Sequence, residues 1–404
     1  MTLGLTVDNQ GTTPLITREL SRLGCAKPGS GSLGWRAQSG CHPQYTEVMA
    51  EPFSSASISQ QIDPAYDDRY SRQRLFPAIG NEGQLKLAAA HVAIVGCGAT
   101  GAASAGLLAR AGVGRLTIID RDFVEPSNLQ RQMLFTEEDA REALPKAEAA
   151  KRRLAQINSE TDVIAEIADL TPANAADLLR SADIVLDATD NFETRYLLND
   201  LAVDRGVPWI YAAAIGSYAA TMNILPVGEF RTACLACIFP DPPGGTVETC
   251  DTAGILNTAV NVAASFQATE AIKYLTGQPE AMRRTLLSMD VWSGERSEVQ
   301  AARPRASCTV CGARQFRHLL GEGRPHITMC GRNSVQIHEH SRPVDFAELA
   351  GRLKPLGEVR WNSMLLRFRY GIYTLSVFAD GRTVVQGTSE VPRARALYAR
   401  FIGS

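Results

Sequence analysis

No apolar run in the chain approaches the eighteen or so residues a membrane-spanning helix needs. An excess of either charge is also missing. Forty-one Lys and Arg stand against 43 Asp and Glu, a formal net charge of −2, so nothing draws the chain in bulk to nucleic acid or anionic lipid. The opening MTLGLTVDNQGTTPLITREL lacks the basic start and apolar centre of a secretory signal, and the expected location is the cytoplasm. Histidine is scarce, with six in 404 residues. Nine cysteines are present, two pairs of them spaced C-x-x-C, and without an export signal that spacing argues for metal before disulfides.

What is present reads as two or three domains. Residues 1–66 are rich in Ser, Gly, Thr, Gln and Pro with no sustained period, as in a disordered leader, and Met49 offers an alternative start. From Arg69 onward, strands and helices alternate. The pattern predicts a short helix over 81–90, a strand from His91 into a glycine turn and a second strand at Leu116–Asp120. It continues with helices over 146–157, 172–180 and 193–205 and with strands at 163–167 and 183–188. Beyond Pro208 two adjacent strands with Gly216 between them imply antiparallel pairing, and apolar residues at helical spacing mark a helix over 256–275. Residues 326–404 read as a separate small α+β domain, with strands at 364–370, 373–378 and 383–386 and a closing helix at 392–401. The expected fold is therefore α/β. A Rossmann-like mixed sheet has a parallel nucleotide-binding half and an antiparallel extension, and a C-terminal α+β unit follows.

The chemistry centres on His91-Val-Ala-Ile-Val-Gly96-Cys-Gly98-Ala99-Thr-Gly101. A strand running into Gly-x-Gly-x-x-Gly and a helix lets the backbone approach a phosphate at the helix N-terminus. Asp120, closing the next strand, is placed for a ribose hydroxyl. By itself this stretch fits a dinucleotide-dependent oxidoreductase as well as any other nucleotide enzyme. Cys234-x-x-Cys237 and Cys308-x-x-Cys311 offer four thiolates for a structural zinc, the alternative being two unrelated reduced thiol pairs. Asp190, just past a buried strand, is either a magnesium ligand facing a phosphate or the cap of the following helix. Arg72, Arg131 and Lys146 flank the region as candidate phosphate contacts, though any one alone reads equally as a solvated charge.

Taken in order, Arg69-Tyr-Ser-Arg72-Gln73, Gly96–Gly101, Asp120-Arg-Asp122, Ser127-Asn128-Leu-Gln-Arg131-Gln132, Pro145-Lys146, Thr189-Asp190-Asn191 and the two C-x-x-C pairs resemble the ThiF and MoeB adenylyltransferases, bacterial relatives of ubiquitin-activating enzymes. The resemblance covers roughly residues 67–315, within an adenylyltransferase domain expected at 67–318. It implies a nucleotidyltransferase that uses ATP and magnesium to adenylylate the C-terminal Gly-Gly carboxylate of a small ubiquitin-like sulfur carrier, in thiamine, molybdopterin or related sulfur-transfer biosynthesis. Asp120 would hold the ribose, Arg131 and Lys146 the phosphates, and Asp190 the magnesium. Ala99, Asp122, Ser127, Asn128 and Asn191 would lie around the nucleotide. Arg72 would reach the triphosphate of a partner subunit, which requires a homodimer. Ala99 and Leu144 both stand where the family usually has glycine.

Cys250, in Val247-Glu-Thr-Cys-Asp-Thr-Ala-Gly254, matches the family's sulfur-transfer or thioester cysteine and reads otherwise as a free thiol. No rhodanese-like loop is apparent in residues 326–404, so a separate persulfide donor is expected. Three other readings are a relative acting on a tRNA-linked or peptide carboxylate, an NAD-dependent oxidoreductase, and an inactive docking subunit. The Thr189-Asp190-Asn191 and Ser127–Gln132 motifs argue against the oxidoreductase. Retention of Arg131, Lys146 and Asp190 argues against the inactive subunit.

Overall fold

The computed structural model describes residues 68–241, 253–321, 328–329, 334–337, 343–379 and 381–403. The leader over 1–66 and the Cys250 loop lie outside them, and Arg69–Ser404 cluster as one compact unit.

The described residues open with a 3-10 turn at Asp68–Tyr70 and a one-turn helix at Ser71–Arg74, then α1 (Gly80–Ala89), which delivers the chain into β1 (His91–Val95). Every residue of β1 is buried, as expected for a central parallel strand covered on both faces. Helix α2 (Ala99–Ala111) follows the glycine turn, then β2 (Arg115–Ile119), α3 (Lys146–Ile157), β3 (Asp162–Glu166), β4 (Ile184–Asp187) and α4 (Phe192–Arg205). The predicted helix over 172–180 shrinks to one turn, Ala175–Leu178. A hydrogen-bonded turn precedes it, in which the Asn174 side chain accepts from Thr171 N and donates to Asp169 O while Thr171 O accepts from Asn174 N and Ala175 N.

β5 (Trp209–Ile215) and β6 (Tyr218–Ile224) form the expected antiparallel pair, and Gly216 between them has φ +57°. α5 (Asn257–Leu275) then crosses back, and β7 (Thr285–Asp290) and β8 (Arg296–Gln300) complete an eight-stranded sheet of order β3-β2-β1-β4-β5-β6-β7-β8. β1 to β5 are parallel and β5 to β8 antiparallel. The strand order turns at β1/β4, and the carboxyl ends beside such a switch point form the ligand crevice of an open α/β sheet. Gln267 of α5, fully buried, braces it. Its amide donates to Asp187 O and Ile210 O, both at 2.8 Å, and its carbonyl accepts from Ser104 Oγ of α2 at 2.9 Å.

A second, six-stranded sheet has the order β11-β12-β13-β14-β10-β9, with β9 at Thr328–Met329, β10 at Ser334–Ile337, β11 at Glu358–Trp361, β12 at Leu365–Tyr370, β13 at Tyr373–Phe378 and β14 at Thr383–Gln386. Helices α6 (Phe346–Leu353) and α7 (Val391–Phe401) pack on one face around Phe368, Leu375, Val385 and Phe401. The opposite face meets the segments that follow β2 and β3. No described helix is long and apolar enough to cross a membrane.

Candidate nucleotide site

Gly96 has φ +90°, and a Cβ there would stand 2.7 Å from Ala188 O. A Cβ on Gly101 would stand 1.9 Å from Gly96 O. Only glycine allows this turn to lie against the end of β4 and close onto its own helix. The turn opens α2, whose N-terminus has no side-chain cap, so its first N–H groups are left for an anion to satisfy.

Asp120 is buried and organises this turn. Its carboxylate accepts from Cys97 N at 2.6 Å and from Asp122 N at 2.7 Å. Burial pushes its carboxyl up and the charge of Lys146 opposes that shift. A carboxylate has about four lone-pair positions, so both bonds leave it able to accept from ribose hydroxyls. Lys146 is the first residue of α3, only 2% exposed, and its Nζ lies 3.1 Å from Asp122 Oδ2. Its placement comes from a clip between two segments. Lys146 N donates to Asp122 O, Val124 N donates to Leu144 O, and Phe123 bridges Pro145. Leu144, the departure from glycine, is buried inside this clip.

The loop after Asp122 folds on Asn128, whose side chain accepts from Glu125 N at 3.0 Å. Arg131 donates to Ser127 O at 2.9 Å. Gln132 is a site residue the sequence left unassigned. It is 2% exposed, its Oε1 has no hydrogen-bond partner, and its Nε2 would be 3.9 Å from a Cβ on Gly98. An orphaned buried amide beside a glycine turn fits a missing polar ligand. Its only sequence signal is its place at the end of the Ser127–Gln132 motif.

On the other side of the turn, the structure decides how Asp190 and Asn191 divide their work. Asn191 caps α4, accepting from Thr194 N at 2.8 Å. Asp190 is exposed and plays no part in that cap. Behind it, buried Asp187 accepts from Thr189 N and Oγ1, at 2.9 and 2.7 Å. Arg195, 3.3 Å from Asp187, donates to Thr189 O at 2.6 Å. The turn that presents Asp190 is thus pinned from below, and an exposed carboxylate at the sheet edge beside a phosphate cradle suits a magnesium ion.

Arg72 is exposed on the helix at Ser71–Arg74, and neighbours in its motif anchor that helix. Gln73 donates to Gln84 Oε1 and Ala111 O, Tyr70 Oη accepts from Asn158, and Arg69 donates to Asn158.

The four cysteines converge as expected from their spacing. All four sulfurs lie within 4.8 Å of one another, with Cys234–Cys237 at 3.8 Å, Cys234–Cys308 at 3.6 Å and Cys237–Cys311 at 3.4 Å. A tetrahedron of sulfurs about 2.3 Å from zinc has edges of about 3.8 Å, so the cluster fits the ion with no position left for water. Hydrogen bonds from Cys234 and Cys311 hold the Cys237 thiol far below its usual range, and Arg305 N donates to it as well.

Close to this cluster, Asp200 is fully buried on α4 and accepts from His318 N at 2.8 Å and Leu319 N at 3.3 Å. Burial pushes its carboxyl up to about 6. The folded chain therefore holds this proton more tightly than the unfolded one. The stability it contributes is complete below about pH 4 and is lost as pH rises to about 6, roughly 2 kcal/mol after allowance for solvent screening. Asp200→Asn keeps an acceptor for both N–H groups, and it is expected to flatten the pH dependence of thermal unfolding across that window. A curve as steep as the wild type's would show that other groups set it.

Parallel strands feeding a glycine turn, a buried lysine–aspartate clip and a four-cysteine cluster that fits a metal together define a nucleotide-binding α/β protein. The chain belongs to the ThiF family, whose model matches residues 70–310. It is 46% identical over 339 residues to the sulfur carrier protein ThiS adenylyltransferase of Bacillus subtilis, covering 83% of this chain and 99% of that protein. The adenylyltransferase and sulfurtransferase MOCS3 of Sus scrofa is 40% identical over 61% of this chain, which spans 53% of MOCS3. Among solved structures, E. coli MccB with ATP superposes with a TM-score of 0.53 at 26% identity, covering 61% of this chain and 75% of MccB.

Proposed function

We propose that the protein adenylylates the C-terminal Gly-Gly carboxylate of a ubiquitin-like sulfur carrier, using ATP. The observation that carries this reading is the site itself, an anion-binding glycine turn flanked by Lys146 on one side and Asp190 on the other. Near-full-length likeness to a ThiS adenylyltransferase supports the carrier as substrate.

In this reading a carboxylate oxygen of the terminal glycine attacks the α-phosphorus in line. The new bond is C–O–P, the bond that breaks joins the α-phosphorus to the bridging oxygen, and pyrophosphate leaves. A terminal carboxyl has a pKa of about 3.5 and is already ionised at neutral pH, so no proton has to move and no general base is needed. Catalysis rests on positioning and charge neutralisation. Asp120 and Gln132 orient the nucleoside and glycine-turn end. The N-terminus of α2, Lys146 and Arg131 hold phosphate oxygens. Asp190 would hold a magnesium ion, which supplies charge neutralisation on the departing pyrophosphate.

Arg72, exposed beside Leu75 and Phe76 at 43% and 58% exposure, supports a second copy of the chain completing the site. Sedimentation would reveal a monomer if this is wrong. Cys250 would accept the activated acyl group as a thioester, its sulfur displacing AMP; Ile255, five positions further along the chain, lies at the site's edge, where its carbonyl accepts from Gln130. An acyl adduct seen by mass spectrometry and lost in Cys250→Ser checks that role. The cytoplasm is the expected compartment, a reading that the use of ATP supports and that cell fractionation tests. A separate protein would supply the persulfide sulfur. With only the enzyme and the carrier present, sulfur loading should then stop while adenylylation stays intact.

ATP–pyrophosphate exchange tests the reading. Exchange is expected only with a carrier ending in Gly-Gly, and it should be lost in Asp190→Ala. Exchange that ignores the carrier or survives the substitution would sink the proposal.

A further inference from the structure

We propose that the C-terminal sheet is the element that sets Lys146 in the nucleotide site, by packing on the Phe123–Pro145 clip that carries it. This inference rests on the reading of Lys146 as a phosphate ligand, and it assigns the second sheet a positioning role in the reaction.

The contacts between the sheet and the rest of the unit converge on a small part of the fold. Leu365, Phe378 and Val384, on the face away from α6 and α7, form a buried cluster with Phe123 and Ala143 of the clip. The Arg367 guanidinium lies 4.6 Å from the Phe123 ring centroid. Arg382 donates to Arg121 O at 3.3 Å, and Gln386 donates to Glu125 at 3.0 Å. These partners are the neighbours of Asp122 and Lys146 along the two strands of the clip.

The clip also needs external support. Ala143 has φ +49°, a left-handed conformation that is unfavourable for a residue carrying a Cβ. Such a residue holds its geometry only where its surroundings over-determine it. On one side Ala143 has its own chain, with Leu144 N bonded to Asp139 O, and on the other it has the C-terminal sheet. Lys146, three residues on, has its Nζ fixed within 3.1 Å of Asp122. Loosening the sheet contact lets Ala143 relax toward negative φ, which moves the clip and with it the ammonium group.

The test uses the full chain. In Phe378→Ser the side chain on the clip is lost, and in Arg367→Ala only the guanidinium over Phe123 is lost. MgATP affinity is measured by calorimetry, so no carrier is required, and KM for ATP and kcat are then read from carrier-dependent exchange. Phe378→Ser is expected to weaken MgATP binding about tenfold and to raise KM for ATP similarly, with the carrier KM unchanged. Arg367→Ala is expected to give about a threefold effect, and it remains the test if Phe378→Ser does not fold. Adding Ala143→Gly to either variant should restore most of the affinity, because glycine holds φ +49° without support. Wild-type MgATP affinity in a folded variant, or a loss that Ala143→Gly fails to restore, would overturn the proposal. Failure of carrier-dependent exchange in the wild type with normal MgATP binding would instead count against the carrier reading alone.

Discussion

Lys146→Ala is expected to lower carrier-dependent ATP–pyrophosphate exchange by about 10²- to 10³-fold, the usual loss when one preorganised charge at the developing transition state is removed. Its effect on folding should have a recognisable pH signature. Lys146 is 2% exposed and is the cation that offsets the burial of Asp120 and pairs with Asp122. Without it the Asp120 carboxyl rises further above its ordinary range. A carboxyl raised in the folded state favours folding below its unfolded pKa of about 3.9, and that contribution is lost as pH rises through the folded value. The stability deficit of Lys146→Ala relative to wild type should therefore be largest near pH 7 and shrink as pH falls toward 4, while the rate deficit persists. Thermal unfolding and exchange, each measured across this range, check the two halves separately. Lys146→Arg should recover little activity, because a planar guanidinium does not reproduce the point charge that the ammonium places 3.1 Å from Asp122 Oδ2. A rate loss under tenfold in Lys146→Ala would mean the phosphates are held elsewhere.

Removing metal from the four-cysteine cluster should have the largest effect on stability. Structural zinc contributes on the order of 10 kcal/mol in small folded sites, comparable to the whole stability of a typical domain. Here the ion would join Cys234 and Cys237, at the one-turn helix Leu235–Ile238, to Cys308 and Cys311 some seventy residues later. The segment after Cys311 carries His318 and Leu319, whose N–H groups satisfy Asp200 on α4. α4 starts at the turn that presents Asp190. Losing the metal should thus loosen the site as well as the cluster. One zinc per chain is expected by elemental analysis. Stripping it with a thiol reagent and chelator, or making Cys308→Ser, should lower the unfolding midpoint by more than about 10 °C and abolish exchange. A metal-free protein with an unchanged midpoint would show that the sulfurs are only packed thiols.

The parts of this arrangement that were legible in the sequence are those with a strong local pattern. β1, its glycine turn, the helix at Lys146–Ile157 and the pairing about Gly216 all fall where periodicity and turn residues place them. β8 was not legible because it is an exposed edge strand, Arg296-Ser-Glu-Val-Gln300, with no buried face to impose alternation. β10 and β11 are four residues each, too short for a period to register. The helix Phe346–Leu353 carries a local signal of its own. Asp345 caps it, and Phe346, Leu349, Ala350 and Leu353 are its buried stripe.

At the site, residue types were readable and assignments were not. Asp190 and Asn191 are chemically near-equivalent as caps, and only the bond from Thr194 N shows that Asn191 does the capping. Gln132 and Asp200 owe their significance to burial without full hydrogen bonding, a property of the packed molecule. The contact of Phe378 with the Lys146 clip joins residues more than two hundred positions apart, which no local pattern reports.

The central claim is transfer of AMP to a carrier's terminal carboxylate, and it is tested most directly by following the α-phosphorus of ATP. In the Cys250→Ser variant, which cannot pass the acyl group on, incubation with α-labelled ATP and a Gly-Gly carrier should form one acid-stable, hydroxylamine-sensitive carrier adenylate per site and release unlabelled pyrophosphate. A carrier lacking its last glycine should take up no label. Label on the truncated carrier, or ATP consumption with none on the intact one, would contradict the account.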